Sequence, residues 1–266
     1  MNPITAPTFE WLQLAPVLVV LVAGCLGILV EALVPRRWRF LSQVVLFEIG
    51  IGIAFVLLVL SWVQPKNSVG LMAMGSISLD GPSYLMWGAL LVFGLLSLLV
   101  FAERDLNNGA TSFAASAASV PGSPAEAEAI AARHEHTEVF PLALLSLSGM
   151  MVFVAANDLL TAFVALEVMS LPLYLLSGMA RRRRLLSQEA ALKYFLLGAL
   201  SSAFFLFGVA LVYGFAGSFD LARISDAIAD PVYGRGLLYT GMTFIAIGLL
   251  FKIGAVPFHN WVPDVY

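Results

Sequence analysis

Leu159-Leu160-Thr161-Ala162-Phe163-Val164-Ala165-Leu166-Glu167-Val168-Met169-Ser170-Leu171-Pro172 is an apolar run broken by one carboxylate. Glu167 stands eight positions beyond Leu159, about 12 Å along a helix that rises about 1.5 Å per residue. From that depth in hydrocarbon a carboxylate does not reach water by bending, and leaving it charged and alone is strongly unfavourable. Glu167 is therefore protonated, paired or turned toward a hydrated cavity. An ionisable group kept at such a position points to function.

The surrounding chain has the same character. Of its 266 residues 60% are hydrophobic and 12% charged, against about 25% charged in soluble domains, and the mean hydropathy is +0.92. Long apolar runs lie at 15–33, 40–63, 84–102, 140–156, 159–179, 188–215 and from 237 onward. Seven spans of about 20 residues need roughly 140 residues, which this chain supplies. The expected fold is an all-α polytopic integral membrane protein of about seven transmembrane helices. Three spans fill 1–103, a cytoplasmic loop 104–137, and four more spans 138–266.

Composition also excludes functions. A net charge of −3 with 14 Lys and Arg has no basic excess for nucleic acid. Cys25 is the single cysteine, so this chain alone forms no disulfide, no Cys-ligated iron–sulfur cluster and no CxxC redox pair. Val22-Ala23-Gly24-Cys25 resembles a lipidation box. The residues before Ala15 hold Glu10 and no Lys or Arg, the wrong flank for a signal peptide, so Cys25 is expected to be a small packed helix residue. No Rossmann glycine motif for NADH is present either.

With the N-terminus outside, the cytoplasmic loops hold Arg36, Arg37, Arg39, Arg104, Arg133 and Arg181 to Arg184, and the outer loops only Lys66, Arg223 and Arg235. That asymmetry orients the chain in a cell membrane. The stretch 106–137 is rich in Ala, Ser, Gly and Pro and reads as a flexible linker. His134 and His136 within it are solvated or, with further ligands, metal-binding.

Two cations remain inside apolar runs. Lys193 lies one to two turns from the inner end of its span, where its long stem can snorkel. Lys252 lies about 22 Å from the outer end of its span if the run is helical, and carries charge there only where an acid faces it. Gly254 and Pro257 follow at once. Proline lacks the amide hydrogen that would bond the carbonyl of Ile253, so a helix broken at Pro257 is expected, with freed carbonyls satisfied by protein or water. His259 beyond the break either passes a proton or caps a carbonyl. Glu48 reads as a residue facing outward near the interface, and Glu31 as a partner of Arg36 and Arg37.

Leu166-Glu167-Val168-Met169-Ser170-Leu171-Pro172-Leu173-Tyr174, then Glu189-Ala190-Ala191-Leu192-Lys193-Tyr194, and Phe251-Lys252-Ile253-Gly254-Ala255-Val256-Pro257-Phe258-His259-Asn260-Trp261-Val262-Pro263-Asp264-Val265-Tyr266 resemble the subunit N family of the proton-pumping NADH:quinone oxidoreductase, respiratory complex I. The match is good over 140–266. The first three spans agree in hydropathy and order.

The resemblance implies proton transfer by Glu167 and Lys252, a connecting role for Lys193 and a role for His259. It places NADH, FMN, iron–sulfur clusters and quinone on partner subunits, with no cofactor and no metal on this chain, and makes other membrane subunits of complex I and the lipid bilayer its surroundings. The family has about fourteen helices in two inverted halves, so 266 residues are expected to form only the first part of that fold. The mechanism expected is a switchable Glu167–Lys252 pair. Such a pair at about 4 Å, with an effective dielectric near 20, attracts by about 4 kcal/mol. One proton moved against roughly 180 mV costs about the same. The rival readings are a subunit of a multisubunit cation/proton antiporter, and a structural membrane scaffold.

Overall fold

The computed structural model describes residues 11–63, 69–104, 111–113, 119–120, 122–132, 134–180, 184–231 and 234–266. Lys66, Arg133 and Arg181 to Arg183, which carry part of the orientation argument, lie outside them.

Every apolar run forms one helix: α1 Trp11–Leu33, α2 Arg36–Val63, α3 Gly81–Phe101, α5 Val139–Ala155, α6 Leu159–Ser177, α7 Arg184–Ala216 and α9 Gly236–Lys252. Between them lie the shorter helices α4 Pro124–Ala131, α8 Leu221–Ala229 and α10 Val262–Val265. Among the described residues five helices, α1, α2, α3, α6 and α7, are long and apolar enough to cross a membrane. The helices α5 and α9 have 17 residues each, about 25 Å at about 1.5 Å per residue, the short end of what spans a hydrocarbon core.

The N-terminal ends of three helices are capped by carboxylates that accept the orphan amides of a first turn. Asp80 accepts from the Ser83 amide at 2.9 Å, Asp158 from the Thr161 amide at 2.7 Å and Asp220 from the Arg223 amide at 2.9 Å. The connections at this end are tied together. A two-stranded hairpin, β1 Gly70–Met72 against β2 Ile77–Leu79, joins α2 to α3. The Asn157 amide donates to the Ser76 carbonyl at 2.8 Å and its side chain to the Gly75 carbonyl at 2.9 Å. This hairpin departs from a purely helical expectation. Its strands of three residues are too short to show a period-two pattern.

At the opposite end the described part of 104–137 includes the helix α4, where composition suggests a linker. Ser123-Pro124-Ala125-Glu126 is a capping box with proline at the first helical position, and Ser123 accepts from the Glu126 amide at 3.3 Å. Arg184, read from its run of arginines as an exposed topogenic charge, is buried here. It donates to Glu126 Oε1 at 2.6 Å and to the Ser119 carbonyl at 2.9 Å.

The core lies around α5, which packs against α1, α3 and α6. Trp87, Phe47, Phe140, Leu91, Leu144 and Met151 are its largest fully buried side chains. The Trp87 indole donates to the Met151 carbonyl at 2.7 Å, so its one polar atom is satisfied inside the core. Leu85, Phe93, Leu99 and Val100 on α3 are exposed, an apolar outer face suited to lipid. Cys25 is exposed on α1 rather than packed, and Glu48 faces outward from α2.

The α5–α6 contact depends on Gly149, where a Cβ would lie 2.4 Å from the Met169 amide nitrogen. Gly149→Val is expected to reduce the assembled protein recovered in membranes severely, because backbone cannot yield as a side-chain tip does. Gly88→Ala, whose Cβ meets only Leu58 at 3.6 Å, should leave the level unchanged; both are read by blue native electrophoresis.

The loop clamp gives a pH test. The Gly122 amide and the Arg184 guanidinium hold the Glu126 carboxyl below its usual range. The folded value lies below the unfolded one of about 4.3, so the clamp contributes fully above that pH and is lost as pH falls through the lower folded value. Protection of the Gly122, Ser123, Ala125 and Glu126 amides from hydrogen exchange, relative to their intrinsic rates at each pH, should fall only on strong acidification, and Glu126→Gln should remove the dependence.

Candidate functional site

Glu167, Ser170 and Tyr174 follow at i, i+3 and i+7 on α6 and share one face. Lys252 is the last residue of α9 and reaches this face. Its ammonium donates to Ser170 Oγ at 2.8 Å and to the Tyr174 hydroxyl at 3.1 Å, and lies 5.6 Å from the centre of the Tyr174 ring. Ser170 in turn donates to the Leu166 carbonyl at 2.6 Å. The Glu167 carboxylate accepts from the Ser202 hydroxyl of α7. Glu167 and Lys252 are both half-buried.

The two ionisable groups therefore do not touch as an ion pair within 4 Å; each is held by hydroxyls, Lys252 by Ser170 and Tyr174 and Glu167 by Ser202. The helix α7 ties the arrangement together through adjacent residues. Ser201 donates to the Gly248 carbonyl at 3.0 Å, one turn before Lys252, and Ser202 donates to Glu167. The Tyr174 hydroxyl fits only because Gly198 faces it, where a Cβ would lie 2.2 Å away.

The helix break lies beside Lys252, as expected, but glycine sets it rather than proline. Gly254 has φ +66°. Its amide donates to the Phe251 carbonyl at 3.0 Å, and the Ala255 amide donates to the Leu250 carbonyl at 2.9 Å. These two bonds make a Schellman ending, so the chain leaves the helix before it reaches Pro257. The buried Trp261 indole donates to the Phe251 carbonyl at 3.2 Å, so protein groups take up the carbonyls of Leu250 and Phe251. A helix C-terminus carries partial negative charge, which favours an ammonium on Lys252.

Lys193 and His259 stand apart from this cluster. Lys193 pairs with Glu189 one turn back at 2.8 Å and with Asp264 of α10 at 2.9 Å, at 45% and 43% exposure of Lys193 and Asp264. Between the two sites lies a plate of aromatic rings. Tyr194 stacks on Trp261 at 4.6 Å between centroids and meets Tyr174 edge-on, also at 4.6 Å. His259 is exposed on the link to α10, and its carbonyl accepts from the Val262 amide at 3.0 Å.

Sequence reasoning singled out neither Ser170, Tyr174, Ser202 nor Asp264. For the first two a signal existed in their helical spacing from Glu167. For Ser202 and Asp264 it did not, because their partners are set by how separate helices pack.

The transmembrane family described as NADH:quinone oxidoreductase/Mrp antiporter matches residues 156–266. The chain is 53% identical over 268 residues to NADH-quinone oxidoreductase subunit N of a Nocardioides species, covering 98% of this chain and 50% of that protein. It is 51% identical over 283 residues to NADH-quinone oxidoreductase subunit N 3 of Streptomyces griseus, covering 100% and 51%. The chain thus spans about half the length of the curated relatives it matches. In structure it resembles a chain of respiratory complex I from Thermus thermophilus, with TM-score 0.67 and 29% identity over 94% of this chain and 47% of the other. It also resembles a chain of the Mrp complex from a Dietzia species, with TM-score 0.68 and 25% identity over 96% and 43%. Over 156–266, which hold α6, α7 and the broken α9, the chain matches this antiporter family, and over nearly its whole length it is similar to about half the length of the NADH-quinone oxidoreductase subunit N proteins.

Proposed function

We propose that this chain translocates protons as part of a membrane-arm subunit of NADH:quinone oxidoreductase, with Glu167 and Lys252 as the groups that load and release the proton. The observation that carries this reading is Lys252 held by Ser170 and Tyr174, with Glu167 on the same helix face held separately by Ser202. It is one of two states. In the other, the Lys252 stem swings to Glu167 and forms the direct pair, a change of about 4 kcal/mol at about 4 Å and a dielectric near 20. That is the scale needed to move one proton against roughly 180 mV. Each hydroxyl that donates to or accepts from these groups offers a short transfer step without exposing charge to lipid.

Lys193 with Glu189 and Asp264 would connect the buried cluster to the inner aqueous surface, and His259 would serve on the same side, past the break at Gly254 and Pro257. On this reading the N-terminus lies outside and the loops at 104–137 and 181–184 face the cytoplasm of a cell with this complex in its plasma membrane. NADH oxidation, FMN, the iron–sulfur clusters and quinone reduction belong to neighbouring subunits, and coupling reaches this chain through conformation and charge. The likeness to a chain of an Mrp complex supports a second reading, a cation/proton antiporter subunit that uses the same residues.

The test uses the intact complex in inverted membrane vesicles. Glu167→Gln removes a charge-assisted interaction of about 1.5–3 kcal/mol, so NADH:quinone turnover and NADH-driven proton uptake should fall together by about tenfold or more at equal assembly. Unchanged rates at equal assembly would leave only a scaffold. Sodium-dependent transport without NADH would favour the antiporter.

The inner pair has a different signature. Exposed ion pairs contribute about 0–1 kcal/mol to stability, so Asp264→Asn and Lys193→Met should barely move the thermal midpoint of the complex. Each should slow proton uptake, and the double variant should be no slower than the worse single one.

A further inference from the structure

Beside the inner ends of α1, α2 and α3 lies a polar cavity of about 530 Å³ that the proton-transfer reading does not use. Four arginines line it, Arg36, Arg37, Arg39 and Arg104, against three carboxylates. Two of the arginines are committed. Arg39 meets Glu31 at 3.4 Å, and Glu31 also takes the Gln43 amide at 2.8 Å and the Thr137 hydroxyl. Arg104 donates to both oxygens of Glu135 and lies 3.7 Å over the Phe40 ring. The third carboxylate, Glu138, has His136 at 3.3 Å.

Arg36 and Arg37 are left over. Neither belongs to an ion pair among the described residues. Arg36 Nη1 is 3.3 Å from His134 Nε2, and Arg37 lies 6.0 Å from the Trp38 ring. Both open to the surface where α1 gives way to α2. The flank of the cavity is apolar and exposed: Leu33 at 78%, Trp38 at 52% and Leu41 at 54%.

A ligand for this place is anionic at one end and apolar at the other. We propose that the cavity binds the headgroup of an anionic phospholipid. The planar forks of Arg36 and Arg37 take the phosphate oxygens, and Trp38, Leu33 and Leu41 lie along the first carbons of the acyl chains. Basic pockets between helix ends at a membrane surface suit such headgroups, and tryptophan suits the level where headgroup meets chain. A free phosphate would use the arginines and leave the apolar flank unused, so the flank is the argument for a lipid. The inference is independent of the function proposed above, because it is read in bound lipid rather than in turnover.

The test measures lipid retained by the detergent-purified complex that contains this chain, by native mass spectrometry after exchange against phosphatidylglycerol or phosphatidylcholine. Wild type should retain phosphatidylglycerol in preference to phosphatidylcholine, and high salt should remove that preference. Arg36→Ala with Arg37→Ala should retain one phosphatidylglycerol fewer per chain. Each surface arginine weighs about fivefold, so the concentration for half-retention should rise about thirtyfold. Equal retention by wild type and variant overturns the proposal. So does displacement of the lipid by inorganic phosphate at matched concentration, which would make the cavity a site for a free anion. If the double variant fails to assemble, the wild-type comparison decides alone: equal retention of the two lipids at low salt overturns the lipid site.

Discussion

An ammonium inside hydrocarbon must be supplied with partners by the protein itself, and most of the second half of this fold follows from supplying them to Lys252. The helix that carries it stops at that residue, so the negative end of its dipole falls there. Stopping a helix within a membrane exposes carbonyls that lipid cannot satisfy. Gly254, Ala255 and the Trp261 indole take them up. The ammonium itself is met by two hydroxyls of α6. The ammonium and the Phe251 carbonyl each have two such partners.

The end of the helices where 104–137 lies follows another rule, in that its ion pairs fix loops. Arg184 draws Glu126 and Ser119 against the start of α7, and Arg104 holds Glu135 near the end of α3. Arginines, one buried and one half-buried, thus hold a segment whose composition resembles a linker. Among the described arginines at this end, Arg36 and Arg37 are left outside these ion pairs.

The spans were legible because hydropathy over about 20 residues is a strong signal, and all seven runs became helices. Glu167 and Lys252 were legible because charge is costly at their depth. Ser170 and Ser202 were not: a serine in an apolar run carries no mark that distinguishes a bond across helices from one to its own carbonyl. The direct Glu167–Lys252 pair, expected from complementary charge, is absent from this state because Ser170 and Tyr174 offer Lys252 a nearer set of partners. The end of α9 shows a subtler case. Pro257 drew attention as a helix breaker, yet Gly254 ends the helix first, by taking the left-handed conformation that a Schellman ending needs. The helix α4 was signalled by Ser123 and Glu126, a capping box hidden by the Ala-rich composition around it. The lipid-facing sides were legible only in aggregate, since which leucine of a span faces out depends on its neighbours.

The stacked rings of Tyr194 and Trp261, with the edge of Tyr174 against them, stand between the mid-membrane hydroxyls and the surface acids. Apart from the Tyr hydroxyls and one indole N–H, already bonded to a carbonyl, the plate offers water nothing to hold. On the function proposed above, such a layer would act as electrical insulation: an energised membrane would lose its gradient through this path only when the rings part and water threads between them. Tightness against leak and speed of passage are then set by the same stack, and tuning either by substitution there changes the other.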